Sequence, residues 1–498
     1  MTEDREKLMY DVAIVGAGPV GLFLACELGL QGCSVVVLER EAEAGSVWRA
    51  APLGLRGLMA SSLAGFYRRG LLPDLLEVSE GILVADEPLQ VKGFGHFAGI
   101  MIDPDKVDLA ALPHRLPTPA PEGLMTPLAH VEQILAERAV KYGVEIRRGA
   151  EATELTQYDD HVVVRAGDDD YAARWVVGTD GGRSAVRRLA GFEFVGTEPL
   201  FTGYTMQVEL DDPGKLKPGF NPTENGMYVA MRIGGHIGVL DFDHGAFDRS
   251  QELTKEHLQD VLRRVSGTDV TITELGLAST YTDRALQATT YRKDRVLLAG
   301  DAAHIHSPLG GQGLNTGLGD AMNLGWKLAA TIQGHAPDDL LDTYTAERHP
   351  VGEWVLDWTR AQVTVLKPGA HGRALQGVMR EMLDTPDGAT YIYKKISGMQ
   401  RRYDLGSEHP LVGRIAPEFR LQDGTRLADL MTDGRGVLLD FTGELNGLDL
   451  NSHFRYAAGP AIDDLGLAAV LVRPDGVVAW AGDADRDAFE QAAKRYFG

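Results

Sequence analysis

The sequence feature that most constrains the fold is a glycine-rich turn near the N-terminus. A short apolar segment at 11–15 precedes the motif GAGPVG at positions 16–21, and a helix-like segment at 22–31 follows it. A second apolar segment comes next, at 34–38. A strand, a glycine turn and a helix followed by another apolar strand predict a βαβ unit at the start of a buried parallel sheet.

Each residue of this motif has a physical reason for its place. Gly16 permits the tight turn, Gly18 lets the backbone approach a pyrophosphate, and Gly21 lets helix and strand pack closely. The pyrophosphate then lies against the amides at the positive end of the helix. Glu39 ends the second strand 18 residues beyond Gly21, where its carboxylate can accept hydrogen bonds from ribose hydroxyls. This element predicts a bound dinucleotide and leaves FAD and NAD as alternatives.

Length and composition set the class of protein. A chain of 498 residues exceeds one hydrophobic core, so we expect two or three domains. A hydrophobic content of 44% and a charged content of 24% are typical of globular proteins. The net charge of −22 disfavours nucleic-acid and anionic-membrane partners. Neither a signal-peptide pattern nor a long apolar run occurs, so we expect a cytoplasmic protein without a membrane span.

The order of segments predicts an α/β fold with an insertion. A helix at about 127–142 continues the α/β series, and between 191 and 290 strand-like segments separated by turn residues predict a mainly antiparallel sheet. An apolar strand at 295–299 and a long helix at about 318–331 return to the α/β pattern. A polar linker at about 406–417 then leads into a C-terminal β/α series.

Two later segments resemble parts of one known family. Residues 178–187, GTDGGRSAVR, resemble the DG motif of group A flavoprotein monooxygenases, and residues 295–304, RVLLAGDAAH, resemble their GD motif. The continuation at 308–328 is close to the family pattern, and Tyr-x-x-Glu-Arg-x-Pro at 344–350 adds a weaker match. With the N-terminal motif, these matches follow the family order, so the sequence is similar to FAD-dependent aromatic hydroxylases.

The resemblance implies that FAD is the cofactor and that NADPH or NADH is the co-substrate. Asp301 ends a strand, where its carboxylate can hold ribityl or ribose hydroxyls, and Asp180 would serve both the pyrophosphate region and NAD(P)H. Amides of the loop 310–314 would stabilise the negative charge of the reduced flavin, and glycines there leave room for the approach. The predicted cofactor-binding residues are Gly16, Gly18, Gly21, Glu39, Arg40, Arg49, Asp180, Asp301, Gly311, Gly313, Leu314 and Asn315.

Two residues are candidates for a catalytic role by the same resemblance. Arg49 matches the family arginine that positions the mobile flavin ring, and Pro308 opens the continuation of the GD motif. Arg40, beside Glu39, is a candidate for a phosphate contact. The sequence departs from the family at one point, because Leu128 stands four residues before Glu132 where the family commonly has a glutamine that contacts the ribityl chain.

The resemblance implies a monooxygenase that hydroxylates a phenolic or polycyclic aromatic substrate through a flavin hydroperoxide. The sequence looks most like the aromatic polyketide hydroxylases of antibiotic biosynthesis. Such chemistry requires neither a metal nor a catalytic triad, and we predict neither. Substrate contacts are expected from the inserted sheet and from the segment around Gly93–Met101, with His96, Tyr228 and His236 as candidate hydrogen-bonding residues.

The C-terminal segment resembles the thioredoxin-like domain of phenol and polyketide hydroxylases. Residues 471–480, LVRPDGVVAW, are the recognisable part, a pair of strands with an Asp-Gly turn. The two cysteines of the chain, Cys26 and Cys33, lie far from it, so the domain lacks a redox dithiol. We expect both cysteines to be buried thiols and the domain to serve packing and dimer contacts.

The predicted fold is therefore α/β, with three domains. They are an FAD-binding domain at 1–190 and 285–400, a substrate domain at 191–284 plus about 75–125, and a thioredoxin-like domain at 407–498. Baeyer–Villiger oxidation or epoxidation of a similar substrate is an alternative function, because fold and cofactor do not determine the reaction. A flavin halogenase is disfavoured by the absence of W-x-W-x-I-P, and a flavin-binding protein without turnover is a third alternative. Monomer and homodimer both stay open.

Overall fold

A computed structural model describes residues 9–80, 83–84, 87–88, 95–231, 234–448 and 454–496. Part of the predicted substrate segment, including Gly93 and Phe94, lies outside the described residues. Among the described residues, no helix has both the length and the apolar character needed to cross a bilayer. The boundaries proposed for the three domains stay predictions.

An eight-stranded mixed sheet carries the N-terminal α/β region. Its centre is parallel, since Tyr10–Val15 runs between Asp169–Gly178 and Val35–Glu39 in the same direction as both. The apolar central residues are buried, as the βαβ prediction requires. The eight strands are Ala152–Gln157, Val162–Ala166, Asp169–Gly178, Tyr10–Val15, Val35–Glu39, Glu145–Arg148, Val296–Leu298 and Arg292–Lys293.

Helices cover this sheet and extend toward the C-terminal region. Pro19–Leu30 packs against the long helix Gln312–Gln333, which begins six residues before the predicted start. Glycines disfavour helix in general, but a Cβ on Gly317 would stand 2.6 Å from the side chain of Val20, so a glycine there permits the close packing of the two helices. The remaining helices are Ala60–Arg68, Leu72–Glu80, Leu128–Lys141, Ala185–Leu189, Lys255–Ser266, Thr343–Leu366, Ala370–Leu383, Pro386–Ile396, Leu427–Leu430 and Arg486–Lys494. Short 3-10 turns are Val47–Arg49, Pro104–Lys106, Leu109–Ala111, Pro213–Lys215 and Gly300–Ala302.

The insertion contains the expected antiparallel sheet. All neighbouring pairs in its five strands are antiparallel, and helix Lys255–Ser266 packs on one face. The five strands are Gly219–Pro222, Gly226–Ala230, His236–Asp241, Thr202–Leu210 and Ile272–Thr282. Two further strands of the insertion, Phe194–Thr197 and Ala285–Ala288, instead pair with each other and, through the latter, with His304–Ile305. Three short antiparallel strand pairs lie outside the insertion: Leu55–Met59 with Gly123–Pro127, His96–Phe97 with Ile100–Met101, and Leu83–Val84 with Glu87–Pro88.

The C-terminal region has its own four-stranded sheet, in the order Phe454–Ala458, Gly436–Asp440, Ala469–Val472, Val478–Gly482. The first pair is parallel and the other two pairs are antiparallel, as a thioredoxin-like sheet requires. The segment 406–417 is not the polar linker that its composition suggests. Its residues Leu411, Val412 and Ala416 are buried in the C-terminal core, because apolar side chains are interspersed among its turn residues.

Candidate active site

A cavity of about 740 Å³ lies where the three sequence motifs meet. Its walls come from the turn after Tyr10–Val15, the end of Asp169–Gly178, and the loop after Val296–Leu298. Carboxyl ends of parallel strands share one edge of the sheet, which explains how motifs far apart in sequence converge. The volume lies in the range of about 300–1,000 Å³ that is typical of ligand sites.

The three glycines of the N-terminal motif have distinct surroundings. Gly16 adopts φ +109°, and a Cβ there would stand 2.6 Å from the carbonyl oxygen of Thr179. A Cβ on Gly21 would overlap the carbonyl oxygen of Gly16, so this glycine permits the close approach of helix and turn. A Cβ on Gly18 would meet nothing within 4 Å, and Gly18 lines the cavity. The space in front of Gly18 is therefore available to a ligand, as a pyrophosphate cradle requires.

Two helix N-termini point at the cavity without side-chain caps. Gly18 is the N-cap of Pro19–Leu30, and Gly311 is the N-cap of Gln312–Gln333 with φ +63°. The first amides of a helix lack intrahelical acceptors and carry partial positive charge. Gly311, Gly313 and Leu314 all line the cavity. This arrangement provides donors for anionic or carbonyl groups at two separate points along the cavity wall.

Two predicted carboxylates line the cavity and already accept backbone hydrogen bonds. Glu39 accepts from the amides of Ala17 at 2.7 Å and Glu41 at 3.0 Å. Asp180 accepts from the amides of Ala185 at 2.6 Å and Val186 at 3.1 Å, and so caps the helix Ala185–Leu189. Each carboxylate therefore has a fixed orientation, and its remaining lone pairs can face a ligand.

Asp301 and an arginine not singled out from the sequence lie on the wall of the same cavity. The carboxylate of Asp301 is open to the cavity. The surrounding protein nevertheless shields it from bulk water, and this desolvation raises its pKa. His304 and Arg56 partly offset the rise. Arg56 donates through Nη1 to the carbonyl oxygens of Leu53 and Leu55, each at 2.8 Å. Burial lowers the pKa of Arg56, and Asp301 opposes this shift. Arg183 and Arg188, in and just after the DG motif, also line the cavity.

Arg49 forms an ion pair with Glu132, which lies four residues after Leu128, the position at which the sequence departs from the family pattern. Its Nη1 lies 2.8 Å from Oε2 of Glu132, and Leu128 lines the cavity one helical turn away. Burial raises the pKa of Glu132, and Arg49 opposes the shift. The other oxygen of Glu132 is buried and has no hydrogen-bond partner among the described residues. Arg40 lies on the cavity rim, largely exposed, and pairs with Glu41 at 3.2 Å.

His306 is a cavity residue that the sequence interpretation missed, since it lies between the GD motif at 295–304 and its continuation at 308–328. Its Nδ1 lies 2.7 Å from the carbonyl oxygen of Ser307, which can only accept, so we place the proton on Nδ1. Burial lowers the pKa of His306 to about 4, so the ring is neutral at neutral pH. Its Nε2 therefore presents a lone pair near Gly313. The predicted residue Pro308 lines the cavity two positions further on.

Asn315 does not line the cavity; it ties two cavity-forming segments together. Its side-chain amide donates to the carbonyl oxygens of Gly57 and Gly311 at 2.9 Å each. Its Oδ1 accepts from the amide of Met59 and the hydroxyl of Ser62, both at 2.8 Å. The structure therefore places Asn315 as a support for the loop at 310–314.

The three candidate substrate residues do not line this cavity. Tyr228 packs on the helix side of the five-stranded sheet, where its hydroxyl accepts from the amide of Lys217 at 3.1 Å. His96 accepts from the amide of Gly99 at 3.1 Å and contacts the ring of Phe220. His236 lies nearer the site: its Nε2 is 3.0 Å from Oγ1 of Thr205, and burial followed by the charge of Arg56 lowers its pKa. No cluster of three or more metal-ligating side chains occurs among the described residues.

A buried ionic network lies behind the GD loop. Asp320 accepts from the amide of Gly300 at 3.0 Å, from Nε2 of His304 at 2.8 Å and from Nε of Arg348 at 2.7 Å. The hydroxyl of Tyr344 donates to the carbonyl oxygen of Leu298. The weak motif at 344–350 thus supports the strand and loop that carry Asp301.

Comparisons with known proteins agree with this geometry. The profile of an FAD binding domain matches residues 9–359, and that of the C-terminal region of aromatic-ring hydroxylases matches 409–498. A monooxygenase of Claviceps purpurea is 46% identical over 481 residues, 95% of this chain and 94% of that protein. A rifampicin monooxygenase of Streptomyces venezuelae is 39% identical over 96% of this chain and 97% of its own length. The structure of the anhydrotetracycline hydroxylase OxyS from Streptomyces rimosus superimposes with a TM-score of 0.84, at 35% identity and 99% coverage of both chains.

Proposed function

Because this chain belongs to the family of flavin-dependent monooxygenases with an FAD binding domain and an aromatic-ring hydroxylase C-terminal region, we propose that it hydroxylates a phenolic polycyclic substrate of the aromatic polyketide kind. FAD is its cofactor, and NAD(P)H and dioxygen are the co-substrates used throughout the family. The names of relatives that specify rifampicin and anhydrotetracycline support this choice of substrate class.

The convergence of the motifs on one cavity carries the proposal. Gly18, Asp180 and the pair Asp301 and Gly313 come from three distant parts of the chain and line a single volume of about 740 Å³. The bound flavin supplies hydride acceptance and oxygen activation, which no amino-acid side chain provides. The protein's own task is therefore to bind, orient and shield.

We assign the dinucleotide's phosphates to the first helix and its ribose hydroxyls to the acidic residues. The uncapped N-terminus of Pro19–Leu30 offers amides and partial positive charge where Gly18 leaves space. Glu39 accepts hydroxyl hydrogens at the end of Val35–Glu39, and Asp301 does so from the loop after Val296–Leu298. Arg40, at the rim, is placed to contact a phosphate.

We assign the oxidisable ring system of the flavin to the second helix N-terminus. The amides near Gly313 and Leu314 stabilise negative charge that develops there on reduction. Arg49 and Arg56 add two guanidinium groups to the same cavity. His306, neutral and with its Nε2 free to accept, offers a hydrogen-bond acceptor rather than a charge. Pro308 has no backbone N–H and leaves the adjoining wall apolar.

The region between the cavity and the five-stranded sheet is the proposed substrate side. His236 is the candidate that remains there, because its pKa responds to Arg56 on the cavity wall. His96 stays a candidate because its ring contacts Phe220 of the five-stranded sheet, and Tyr228 is dropped because it faces the helix side of that sheet. We also propose a cytoplasmic enzyme, a monomer or homodimer, without a nucleic-acid partner; the net charge of −22 supports the last point.

The deciding experiment uses the yellow holoenzyme with NADPH or NADH, air and a panel of polycyclic phenols. We expect substrate-stimulated NAD(P)H oxidation and a product heavier by one oxygen atom that retains its aromatic ring. A lactone or an epoxide of the same added mass would replace hydroxylation by the Baeyer–Villiger or epoxidising alternative. Flavin binding without turnover on any phenol would contradict the substrate class.

A further inference from the structure

Helix Thr343–Leu366 carries a buried glutamine whose side chain bonds to two other parts of the chain. Gln362 is 0% exposed. Its Oε1 accepts from the amide of Ala98 at 2.9 Å, and its Nε2 donates to the carbonyl oxygen of Leu309 at 3.4 Å. A buried amide is costly unless its polar atoms are hydrogen-bonded. Gln362 meets this requirement by joining the two segments to each other.

The segment at Leu309 belongs to the loop proposed to lie against the flavin ring. Leu309 and Gly310 stand between Pro308 and Gly311, which both line the large cavity. A Cβ on Gly310 would stand 3.0 Å from Nε2 of Gln362, so the glutamine packs directly against this loop. The C=O of a trans peptide points opposite to the N–H that follows it. Gln362 therefore fixes, through the carbonyl of Leu309, the direction of the Gly310 amide, which donates to no acceptor in the described part of the chain.

The segment at Ala98 is the turn of the hairpin on the proposed substrate side. Ala98 and Gly99 are its two turn residues, with φ +50° and +75°. The left-handed conformation is unfavourable for alanine because of its Cβ, so the hydrogen bond to Gln362 helps to hold the turn. The amide of Gly99 donates to Nδ1 of His96 at 3.1 Å, and a neutral ring then carries its proton on Nε2. The turn thus orients the group of His96 that can donate to a substrate oxygen.

We propose that Gln362 is a positioning residue that sets the distance between the aromatic substrate and the flavin ring. This role rests on the hydroxylation proposed above, in which the turn faces the substrate and the loop faces the flavin. The planar amide of the side chain cannot stretch, so a shift of one segment is passed to the other.

The consequence of losing this amide is a reaction that consumes NAD(P)H without hydroxylating the substrate. A misplacement of about 1 Å between reacting groups lowers a rate by up to about 100-fold. NAD(P)H, a proton and O₂ then give NAD(P)⁺ and hydrogen peroxide, in place of NAD(P)⁺, water and the hydroxylated product. FAD affinity should be retained, because the contacts assigned to the phosphates and the ribose hydroxyls are untouched.

The first test measures hydrogen–deuterium exchange of the FAD-loaded enzyme without substrate. Gln362→Met keeps the length of the side chain and removes both hydrogen bonds, so peptides covering 95–102 and 307–314 should both exchange about fivefold faster, the size of one net hydrogen bond. Gln376→Met is the matched control, since Gln376 is 8% exposed and donates to the carbonyl oxygen of Val365 on the same helix at 3.0 Å. It should leave both peptides unchanged. Unchanged exchange of either peptide in Gln362→Met overturns the proposal.

The second test measures hydroxylated product per NAD(P)H oxidised with a polycyclic phenol. Gln362→Met should lower this yield at least about tenfold, whereas Gln376→Met should keep it. Gln362→Glu adds a pH signature: the ionised carboxylate can accept from Ala98 but cannot donate to Leu309, whereas the protonated carboxyl can do both. Its yield should therefore rise as pH falls through the pKa of the introduced carboxyl, which burial raises.

The outcomes separate this role from the proposed function. A yield in Gln362→Glu that follows the pH profile of the unmodified enzyme overturns the positioning role. If the unmodified enzyme hydroxylates no phenol, the proposed function fails, and the exchange measurement still decides whether Gln362 couples the two segments. Should Gln362→Met fail to fold, the exchange measurement uses ionised Gln362→Glu, in which the peptide at 307–314 should exchange faster.

Discussion

Charged residues at the large cavity and charged residues at the junction with the C-terminal sheet differ in what neutralises them. Asp301 and Arg56 face the cavity with no ion pair within 4 Å in the described part of the chain. We define the junction cluster as Lys327, Glu347, Arg473 and Asp475. Each of its charges is paired with an opposite charge inside the cluster. Glu347 contacts Arg473 through two hydrogen bonds of 2.8 Å and Lys327 at 3.0 Å.

The charged residues of the junction cluster stabilise the fold, whereas those at the large cavity are available to bind a ligand. All four side chains of the junction cluster are at most 5% exposed, so each charge depends on its partners. Removing one partner from such a group is strongly destabilising, even where the group as a whole adds little stability. At the cavity, by contrast, spare donors and acceptors face open space, and their loss should change ligand binding more than folding.

The largest expected effect is at the junction cluster. Glu347→Gln removes the carboxylate shared by Arg473 and Lys327 and should lower the free energy of unfolding by about 3–5 kcal/mol. Burial alone would raise the pKa of Glu347, but Arg473 and Lys327 more than offset it and hold the pKa below its ordinary range. The stability contributed is therefore present above the unfolded-state pKa and lost as pH falls.

Urea unfolding of the variant and of Glu353→Gln measures this. Glu353 is exposed on the same helix, so its variant should differ from the unmodified protein by less than about 0.5 kcal/mol. Equal stability of the two variants would show that the cluster does not hold the C-terminal sheet in place.

A contrasting effect is expected at the glycine cradle. Gly18→Ala puts a methyl group into open cavity space at a backbone conformation of φ −75°, which any residue adopts. Folding should change by no more than about 1 kcal/mol, as for other N-cap substitutions. FAD affinity should fall at least tenfold, about 1.4 kcal/mol, because the methyl group occupies the position assigned to a phosphate.

Flavin fluorescence titration of the apoprotein checks this, with Gly377→Ala as the matched control. Gly377 also has nothing within 4 Å of its ideal Cβ, and it lies on the distant helix Ala370–Leu383. Unchanged FAD affinity in Gly18→Ala would contradict the assignment of the FAD phosphates to the N-terminus of helix Pro19–Leu30.

The sequence predicted those parts that depend on local patterns. The βαβ unit follows from apolar runs and glycine spacing, and the fold class and cofactor follow from the three motifs; all are confirmed. The sequence did not reveal Arg56 or His306 as cavity residues, because their location depends on how distant loops pack. Leu411 and Val412 were misread as linker for a similar reason: burial in the C-terminal core is a tertiary property.

The substrate residues show the same limit. Alternation along strand Gly226–Ala230 indicates that Met227 and Tyr228 face opposite sides, but not which side meets the cavity. The helix Lys255–Ser266 covers the side of Tyr228, and that packing decides the matter. The roles assigned to the individual site residues stay predictions that variants must test.

An intermediate effect is expected at Arg49, which shares one property with the junction cluster and one with the large cavity. Arg49 is paired with Glu132 yet remains 31% exposed, so it combines a protein partner with access to the cavity. Arg49→Gln should lower kcat/KM for the aromatic substrate about tenfold, equivalent to about 1.4 kcal/mol. The change in unfolding free energy should stay below about 1 kcal/mol, the usual size for a partly exposed ion pair.

Steady-state kinetics and unfolding of the same variant separate the two effects. Arg360→Gln is the control, since Arg360 pairs with Asp357 at 2.9 Å at a comparable exposure and away from the cavity. It should retain full kcat/KM and should lose no more stability than Arg49→Gln, because its partner Asp357 is 71% exposed whereas Glu132 is 10% exposed. If Arg49→Gln loses stability but keeps its kcat/KM, Arg49 stabilises the fold and does not take part in the reaction.

The smallest effect concerns His306, a cavity group that carries no charge at neutral pH. Its folded-state pKa of about 4 lies below the unfolded value of 6.5, so between these values the unfolded chain binds more protons. Stability should therefore decline as pH falls from 7.5 to 5.5, and His306→Asn, whose amide can still donate to Ser307, should reduce that decline by about 1 kcal/mol or less. Urea unfolding of the holoenzyme at both pH values measures it, and the exposed His371→Asn should leave the decline unchanged. A decline of the same size in His306→Asn would mean that the folded protein does not lower the pKa of His306, so that the ring binds its proton as readily as in the unfolded chain.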